Sequence, residues 1–579
     1  MRTIDTLPDF LKEYCTVQDT TKYTARNHAV WRYIMRRSLP FFRQHAVGIY
    51  ENGLKKTGLP IDKIPDINEM DAALQKIGWG AVPVCGFIAP WAFIEFQSRK
   101  ILPIATDIRN VENISYTPAP DIVHEAAGHA PIIPDQEYSD YLSRYGKLCT
   151  KAIYSEDDLR IFEAVRYLSD IKEKSDSTTT QVAEAERNLT ETAKSCTYVS
   201  EQTKVARMSW WTNEYGLVGS LEDPKIYGAG LLSSVSESKG VYSDKVKKVR
   251  LSLDCINKSY DITKPQPQLY VAKDMQHLIS VLDELEATLA YRVGGCYALH
   301  LGKESQAITT TLLDNGLEIS GKLVAYELAG EKTKYLEWDG PIQLSYQGKQ
   351  IETHGPERHP DGFRCCLGRV KSAPQKTTGK MSPQELENAG FIKDSMCQIQ
   401  FETGFQIEGK LLEIKYSKDQ SPLFATFNHF KMSRGGKIYF QTQDELMQLP
   451  LADSVPSVYG GPADRSNFGN RETTNVTTVP GRQEPYSDQE QKLFDKYQEL
   501  REIRSNNTNE QIVKTIAEKA LKDYPDEWLY ILEIYEIGRD HLKVSKDTPW
   551  LRSIYQQLLS LKEKEQYTEL IEVGLELIT

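Results

Sequence analysis

The chain has 579 residues, a net charge of −11 and an ordinary composition, with 40% hydrophobic and 26% charged residues. The negative charge argues against a general binder of nucleic acid or anionic membranes, because such partners attract a positive surface. No apolar run approaches the roughly 20 residues that span a bilayer, and the start lacks the pattern of a signal peptide. The nine cysteines include no C-x-x-C pair, so we expect reduced thiols and a cytoplasmic location.

The first part of the chain, residues 1–295, is predicted to be one mainly helical domain. Apolar residues between Tyr23 and Glu51 follow helical periodicity, with an interruption expected at Pro40. Residues at about 155–205 have the pattern of two charged amphipathic helices around a polar turn. We interpret this pair as a helical insertion within the domain.

The sequence pattern changes at about residue 296. Residues 296–455 are predicted to be rich in short strands, in which polar and apolar residues alternate. An internal repeat supports this prediction, since residues 315–323 match residues 403–411 at an offset of 88. The same offset relates 348–349 to 436–437. We expect two copies of one β-meander, packed as a sandwich or barrel. Such a unit could be a binding or dimerisation module, although a structural appendage is the favoured interpretation.

Two further segments complete the predicted architecture, which is multidomain α+β. Residues 456–488 are rich in Gly, Pro, Asn and Thr, which is typical of a linker. Residues 489–579 are again helical in pattern, and three or four helices are expected there. The sequence leaves open whether the carboxy-terminal domains form a homo-oligomer.

The sharpest chemical signal is a segment that holds His124, Glu125 and His129. It differs from the zinc-protease motif, whose histidines lie four residues apart and about 40° apart on a helix. A spacing of five puts the rings about 140° apart on a regular helix, so they converge only if the helix ends or distorts. Gly128 and Pro131 favour such a break. The alternative is a hydrogen-bonded pair of histidines at a helix end.

A third metal ligand is suggested by Glu214, which lies among Trp210, Trp211 and Tyr215. A carboxylate in an aromatic setting is costly to bury unless it is paired or bound to a metal. Together with the two histidines, it would form a 2-His-1-carboxylate set, which leaves positions on Fe(II) open.

At this point the sequence resembles the pterin-dependent aromatic amino acid hydroxylases over about residues 20–290. The resemblance implies a mainly α-helical hydroxylase catalytic domain, followed here by the duplicated β-rich domain and the helical domain. The segments that carry it, in chain order, are Tyr23-Thr-Ala-Arg26, Pro83-Val-Cys-Gly86, residues 116–131, Trp210-Trp-Thr-Asn-Glu-Tyr-Gly216, Lys225-Ile-Tyr-Gly-Ala-Gly-Leu-Leu-Ser-Ser234 and Gln268-Leu-Tyr-Val-Ala272.

The resemblance assigns roles residue by residue. It implies that His124, His129 and Glu214 bind iron, and that Glu125 is catalytic, near the pterin and an iron-bound water. The positions implied to bind the amino acid substrate are Arg109, Thr117, Pro120, Trp210, Gly230 and Ser233. The positions implied to bind the pterin are Gly86, Ile88, Phe93 and Ala206, with Phe93 stacked on its ring.

The implied activity is para-hydroxylation of an aromatic amino acid, with Fe(II), a tetrahydropterin (tetrahydrobiopterin or a related pterin) and O2 as co-substrate. Aliphatic Ile262 stands where phenylalanine hydroxylases carry an aliphatic residue, so we expect L-phenylalanine to be converted to L-tyrosine. Tryptophan and tyrosine hydroxylation are the alternatives. A zinc peptidase and a catalytically inactive scaffold are the other classes considered, and metal analysis distinguishes all three.

Overall fold

The computed structural model describes residues 1–85, 88, 90–114, 121–173, 177–261, 264–469, 486–506 and 509–578. In this described part, no helix combines the length and the apolar character that a membrane crossing requires.

Helices dominate the first 290 residues, which contain one large hydrophobic core and a smaller cluster around the helix Pro90–Ser98. The α-helices here are α1 (Asp9–Lys12), α2 (Ala25–His45), α3 (Tyr50–Lys56), α4 (Ile67–Gln75), α5 (Pro90–Ser98), α6 (Gln136–Cys149), α7 (Glu156–Glu173), α8 (Thr179–Ser195), α9 (Glu201–Ser209), α10 (Ala229–Leu232), α11 (Val235–Val241) and α12 (Met275–Glu286). Two π-helices span Val123–His129 and Trp210–Glu214. The 3-10 helices are Thr3–Thr6, Thr20–Lys22, Val111–Asn113, Ala130–Ile132 and Leu253–Asn257.

Helix α2 differs from its prediction because it continues through Pro40 as one helix. It begins with a capping box in which Thr24 and Asn27 bond each other's backbone N–H groups. Proline removes one backbone hydrogen bond, but the buried side chains on both sides of it, such as Met35 and Phe42, hold the helix against the core. The predicted interruption was therefore wrong.

Two small sheets frame the helices. Strands β1 (Gly80–Val84) and β2 (Ile101–Ala105) pair in parallel around α5. The second sheet has the order β4-β3-β6-β5. Its strands are β3 (Leu217–Gly219), β4 (Pro224–Ile226), β5 (Lys247–Arg250) and β6 (Gln268–Ala272). The predicted insertion contains α7 and α8, which pack against each other.

Short helices α13 (Ala290–Val293) and α14 (Gly295–Glu304) lead into a β-rich region with two sheets. The first has the order β10-β9-β8-β7-β17 with β11 on β9, and the second has the order β12-β13-β14-β15 with β16 on β14. The strands are β7 (Ile308–Leu312), β8 (Leu317–Ala329), β9 (Lys332–Tyr346), β10 (Lys349–Gln350), β11 (Phe363–Cys366), β12 (Met396–Gln400), β13 (Phe405–Tyr416), β14 (Pro422–Arg434), β15 (Lys437–Gln441), β16 (Met447–Pro450) and β17 (Ser457–Gly460). Helices α15 (Pro383–Asn388) and α16 (Arg465–Phe468) complete the region.

The segment predicted as a linker from residue 456 begins inside the first sheet. Strand β17 pairs antiparallel with β7, and its four residues are all buried. Glycine, serine and proline gave this stretch the composition of a linker, but its backbone satisfies the open edge of β7. The linker assignment is therefore wrong at its start, while residues 470–485 lie outside the described residues.

The carboxy-terminal part contains five α-helices rather than the three or four expected. They are α17 (Asp488–Ser505), α18 (Glu510–Asp523), α19 (Trp528–Glu536), α20 (Pro549–Lys562) and α21 (Thr568–Glu576). A π-helix at Ile537–His541 and a 3-10 helix at Glu565–Tyr567 lie between them. Their apolar residues belong to the same core as the amino-terminal helices. Tyr33 of α2 donates a 2.6 Å hydrogen bond to the carbonyl of Leu570, so these helices cover a face of α2.

Charged side chains also join α2 to these helices. Arg504 contacts Glu533 at 3.2 Å and Glu536 at 3.0 Å, and Arg32 and Arg36 contact Glu536 as well. We call these five residues the α2 ion-pair cluster. Because all five are largely buried, each charge depends on its partners for stability.

Candidate functional site

A π-helix presents the two histidines of the predicted metal set. In a π-helix the backbone bonds run from residue i to i+5, and the N–H of Ala130 accordingly donates to the carbonyl of Glu125. Residues five apart, such as His124 and His129, therefore lie near one face. The sequence predicted a break or distortion at this point, and the distortion is a π-helix that extends through His129.

A second π-helix ends at Glu214 and brings its carboxylate between the two rings. The distance from Glu214 Oε2 to His124 Nε2 is 3.2 Å, and that from Oε1 to His129 Nε2 is 3.3 Å. Two ligand atoms about 2.1 Å from one metal and at a right angle are about 3.0 Å apart. Both His–Glu spacings are close to this value, and the ligand atoms of all three residues lie within 4.8 Å of one another, so the three can share one ion. In the described part of the chain, this is the one group of three such residues close enough to share a metal.

The surroundings of the two imidazoles favour binding of a metal ion. The hydroxyl of Ser233 donates to the carbonyl of Gly230, so it accepts from Nδ1 of His124 at 3.1 Å. This bond directs the lone pair of His124 Nε2 toward Glu214. Among the described residues, neither ring nitrogen of buried His129 has a hydrogen-bond partner, which is costly unless a ligand such as a metal ion satisfies one of them. The donor set therefore fits a non-haem Fe(II) ion.

Close packing of α10 fixes the two π-helices against each other. A Cβ atom at Gly128 would lie 2.6 Å from the carbonyl oxygen of Ala229, and one at Gly228 would lie 2.4 Å from that of Glu214. Both contacts are too short for any side chain. The glycines at these positions are therefore needed to bring the histidine and glutamate segments together.

The carboxylates of the site differ in their electrostatics. Burial alone would raise the pKa of Glu214, but the adjacent His129 and His124 hold that pKa well below its usual range. Burial raises the pKa of Glu125 to about 8, because His129 only partly offsets the loss of solvent. Glu214 is therefore an anion at neutral pH, as a carboxylate metal ligand must be. The pKa of Glu125 lies close to neutral pH, so this carboxyl group can gain or lose a proton there.

Arg109 is buried in an ion pair that the sequence did not predict. Its Nε and Nη2 each donate to Asp121 at 2.8 Å, and Nη1 donates to the carbonyl of Ser233 at 3.3 Å. Asp121 also accepts from the backbone N–H of His124 at 3.1 Å. Asp121 therefore connects the predicted substrate arginine to the predicted metal helix. The sequence showed an acid three residues before His124, but not which cation it meets.

Three stacked aromatic rings lie near Glu214. The ring of Trp210 stacks on Tyr215 with centroids 4.6 Å apart and on Tyr260 at 4.3 Å. Tyr260 lies 46 residues after Glu214 and outside the motif that contains it, so its role could not be read from the motif. This stack provides a flat apolar wall beside the carboxylate.

The positions implied to bind the pterin lie in two places. Ile88 is buried in a cluster that Phe93 of α5 also packs against, and Ala206 is half-buried on α9, just before the second π-helix. Three of the predicted site residues lie outside the described residues, namely Gly86, Thr117 and Pro120. Ile262, on which the substrate prediction depends, lies outside them too.

Comparison with known proteins gives the same family as these motifs. Residues 9–163 and 192–308 match the family described as biopterin-dependent aromatic amino acid hydroxylase. The unmatched residues between these two ranges fall within the α7–α8 insertion.

Curated relatives are phenylalanine-4-hydroxylases. That of Pseudomonas aeruginosa is 28% identical over 264 residues, which cover 45% of this chain and 84% of the relative. That of Chromobacterium violaceum is 25% identical over 272 residues, covering 45% of this chain and 77% of the relative. A crystal structure of the Chromobacterium violaceum enzyme with bound iron and phenylalanine is 24% identical in sequence. The match covers 49% of this chain and 94% of the chain in that structure. Its TM-score is 0.36, which is too low to support a conclusion about the fold. On the motifs and the family match, residues 9–163 and 192–308 form a domain of the biopterin-dependent aromatic amino acid hydroxylase family.

Proposed function

We propose that this protein is an Fe(II)- and tetrahydropterin-dependent monooxygenase that hydroxylates L-phenylalanine to L-tyrosine. The proposal depends on one observation: the carboxylate of Glu214 lies 3.2 Å from His124 Nε2 and 3.3 Å from His129 Nε2. All three residues lie in the part of the chain that matches the hydroxylase family. When bound, Fe(II) and the pterin supply dioxygen activation, which amino acid side chains alone do not provide.

The three ligand residues would hold the iron from one side. The side chain of His129 is 1% exposed, whereas those of His124 and Glu214 are 16% and 19% exposed. The site is therefore closed behind His129 and open in front of the other two ligands. An iron ion held by these three residues would keep its open side toward that opening, where dioxygen can reach it.

Arg109 would bind the α-carboxylate of the amino acid. Asp121 takes the Nε edge and one Nη2 hydrogen, which fixes the plane of the guanidinium before substrate arrives. One hydrogen on each of the two Nη atoms is left for a carboxylate, a geometry that suits two parallel hydrogen bonds. Ser233 and Gly230 lie on the same side, next to His124.

The remaining assignments concern the ring and the pterin. Trp210 would contact the phenyl ring of the substrate, because it forms the aromatic wall beside Glu214. Phe93, Ile88 and Ala206 would contact the pterin. Glu125 would hold a proton near the pterin and an iron-bound water, since its raised pKa lets it exist in either protonation state near neutral pH.

A direct assay tests the proposed function. The full chain is loaded with Fe(II), supplied with tetrahydrobiopterin and oxygen, and offered L-phenylalanine, L-tryptophan or L-tyrosine in separate reactions. We expect tyrosine from phenylalanine and much slower turnover of the other two amino acids. Faster turnover of tryptophan would overturn the choice of substrate, and a chain that purifies with zinc and cleaves peptides would overturn the class.

We further propose that the β-rich region contains a duplication. The first residues of β7, β8 and β10 (308, 317 and 349) each precede those of β12, β13 and β15 (396, 405 and 437) by 88. Both sheets follow the same order of neighbouring strands. We also propose a cytoplasmic location and, for any homo-oligomer, an interface in the region beyond residue 296. Light scattering of the full chain and of a chain that ends at residue 295 tests the interface.

A further inference from the structure

The β-rich region contacts the catalytic region through residues 457–468, which we call the docking segment. The N–H of Gly460 donates to the carbonyl of Lys151 at 3.0 Å, and Lys151 Nζ lies 3.6 Å from the ring centre of Tyr459. A Cβ atom at Gly460 would lie 2.2 Å from the carbonyl oxygen of Ala152. This approach tolerates no side chain, so the docking segment lies in one defined position against the end of α6.

Asp464 ties the end of the docking segment to the first sheet. Its backbone N–H and carbonyl both bond the side chain of Gln343 at 3.0 Å, and its carboxylate accepts from the N–H of Gln350 at 3.0 Å. The two bonds to Gln343 are buried and the bond from Gln350 is partly buried, and paired hydrogen bonds in such surroundings define geometry well. The residue that follows, Arg465, is therefore positioned by strands β9 and β10.

Arg465 reaches α5 from the side of the β-rich region. Its guanidinium lies 5.2 Å from the ring centre of Trp91, a cation–π distance. The ring centroid of the same indole lies 6.3 Å from that of Phe10 and 5.5 Å from that of Tyr14. Trp91 is thus enclosed by residues from the start of the chain and from the docking segment.

Trp91 and Phe93 share the short helix α5 and the same hydrophobic cluster, which also contains Ile88. Phe93 is the residue proposed to stack on the pterin, and Ile88 is a proposed pterin contact. A displacement of Trp91 would rotate or shift this helix, because a nine-residue helix moves as a unit. The geometry of the pterin wall therefore depends on what holds Trp91.

We propose that Arg465 is a positioning residue for the pterin site, through which the β-rich region holds α5 and Phe93 in place. The inference rests on the proposed function, because it takes Phe93 as the pterin contact. The family match ends at residue 308, so Arg465 lies in a part of the chain that the matched domain does not include. The β-rich region would then act in cofactor binding rather than as an appendage.

The experiment measures pterin affinity without turnover. Full-length protein is loaded with Fe(II) under anaerobic conditions and titrated with 7,8-dihydrobiopterin by calorimetry. We expect the Kd to rise about three- to tenfold in Arg465→Ala, the effect of losing one cation–π contact. Arg465→Lys, which keeps the charge, should recover part of the affinity. Amide hydrogen exchange of residues 90–98, followed by mass spectrometry, should become faster in Arg465→Ala only.

A matched control separates this effect from general damage to the β-rich region. Arg364 lies at the same distance of 5.2 Å from an aromatic ring, that of Phe440, but away from α5. Arg364→Ala should leave the Kd for dihydrobiopterin within about twofold of the parent, and neither variant should change the affinity for L-phenylalanine or the iron content.

The outcomes are distinguishable. If the parent binds dihydrobiopterin and Arg465→Ala binds it equally well, the inference is overturned while the proposed function stands. Equal weakening in the Arg364→Ala control also overturns it, because the effect would then be general. If the parent itself binds no dihydrobiopterin, the proposed function and the inference both fail.

Discussion

Two pairs of histidines in this chain share a spacing of five residues but have opposite chemistry. His124 and His129 face the carboxylate of Glu214 at 3.2 and 3.3 Å. His354 and His359, in the loop that follows β10, instead face each other, with Nδ1 and Nε2 3.2 Å apart. Their rings are stacked, with centroids 5.5 Å apart. The spacing of histidines alone therefore does not make a metal site.

The difference lies in what surrounds the rings. The ring of His354 packs edge-on against Phe424, and that of His359 against Phe363, so these imidazoles are buried among apolar groups. Burial lowers the pKa of His354 to about 4 and that of His359 to about 3. The first pair faces a carboxylate, whereas the charged side chains that act on the second pair are the cations Arg358 and Lys415. A carboxylate held between two rings is thus the feature that indicates function.

The largest expected effect comes from removing that carboxylate's charge. Glu214→Gln keeps the size of the side chain but offers the metal a neutral ligand. We expect iron content to fall well below one per chain and hydroxylation to fall at least about 10³-fold, a cost of about 4 kcal/mol. Metal analysis and tyrosine formation measure the two quantities.

The comparison requires that the second pair respond differently. His354→Asn removes one ring of that pair and keeps a polar atom where Nδ1 lies, so iron content and hydroxylation should match the parent. A fall in iron content in this variant would mean that the second pair contributes to metal binding, and the distinction between the two pairs would be lost.

The next largest effect concerns stability far from either pair. Glu536 accepts from Arg32, Arg36 and Arg504 in the α2 ion-pair cluster. Glu536→Ala leaves these three cations with less compensation, which should lower the free energy of unfolding by about 3–5 kcal/mol. Iron content and kcat at 25 °C should hardly change, since no proposed site residue is touched. Chemical denaturation measures the stability.

An exposed ion pair provides the control for this variant. Asp547 contacts Arg552 at 3.4 Å, with side chains 73% and 59% exposed. Asp547→Ala should cause a far smaller change in stability, because solvent screens exposed pairs. If the two variants lowered the free energy of unfolding equally, burial of the α2 ion-pair cluster would not increase its contribution to stability.

A smaller effect is expected at Arg109, which joins the metal helix to the proposed substrate position. Arg109→Lys replaces a two-pronged donor by a point charge. We expect kcat/KM for phenylalanine to fall about 10- to 150-fold, or about 1.5–3 kcal/mol, mainly through KM. Because Lys cannot satisfy both oxygens of Asp121, a modest decrease in Tm should accompany it.

Steady-state kinetics, iron content and Tm on one preparation decide the role of Arg109. A raised KM with unchanged iron content supports contact with the substrate carboxylate. Loss of iron and of Tm with an unchanged KM would contradict that contact and leave Arg109 as a structural partner of Asp121. Asp121→Asn, which breaks the same pair from the other side, gives the purely structural effect for comparison.

The sequence predicted what depends on local pattern. It was sufficient for the family, for the grouping of His124, His129 and Glu214 and for strands in the β-rich region. It could not show that the segments carrying these three residues are π-helices, or that α10 approaches Gly128 closely. It also missed the ion pair of Arg109 with Asp121 and the pairing of β17 with β7. In each case the deciding partner lies elsewhere in the chain.

The smallest expected effect is on the pH dependence of stability, and it comes from the second histidine pair. In the unfolded chain a histidine has a pKa of about 6.5, whereas burial lowers the folded pKa values of His354 and His359 to about 4 and 3, with Arg358 adding to the shift. Below pH 6.5 the unfolded chain therefore binds protons that the folded chain does not. The free energy of unfolding should fall as the pH decreases from about 6.5 toward 4, and the pair should contribute no pH dependence above that range.

Denaturant unfolding at pH 7, 6 and 5 tests this sign. The double variant His354→Asn, His359→Gln should lose roughly 1–2 kcal/mol less than the parent between pH 7 and 6, because the two titrating rings are gone. Subtracting the parent curve removes the contribution of every other group, including the buried carboxylates of the catalytic site. If the double variant lost more stability in acid than the parent, the predicted sign of the pH dependence would be wrong. The second pair would then be protonated and stabilised by a partner in the folded chain, despite its apolar surroundings.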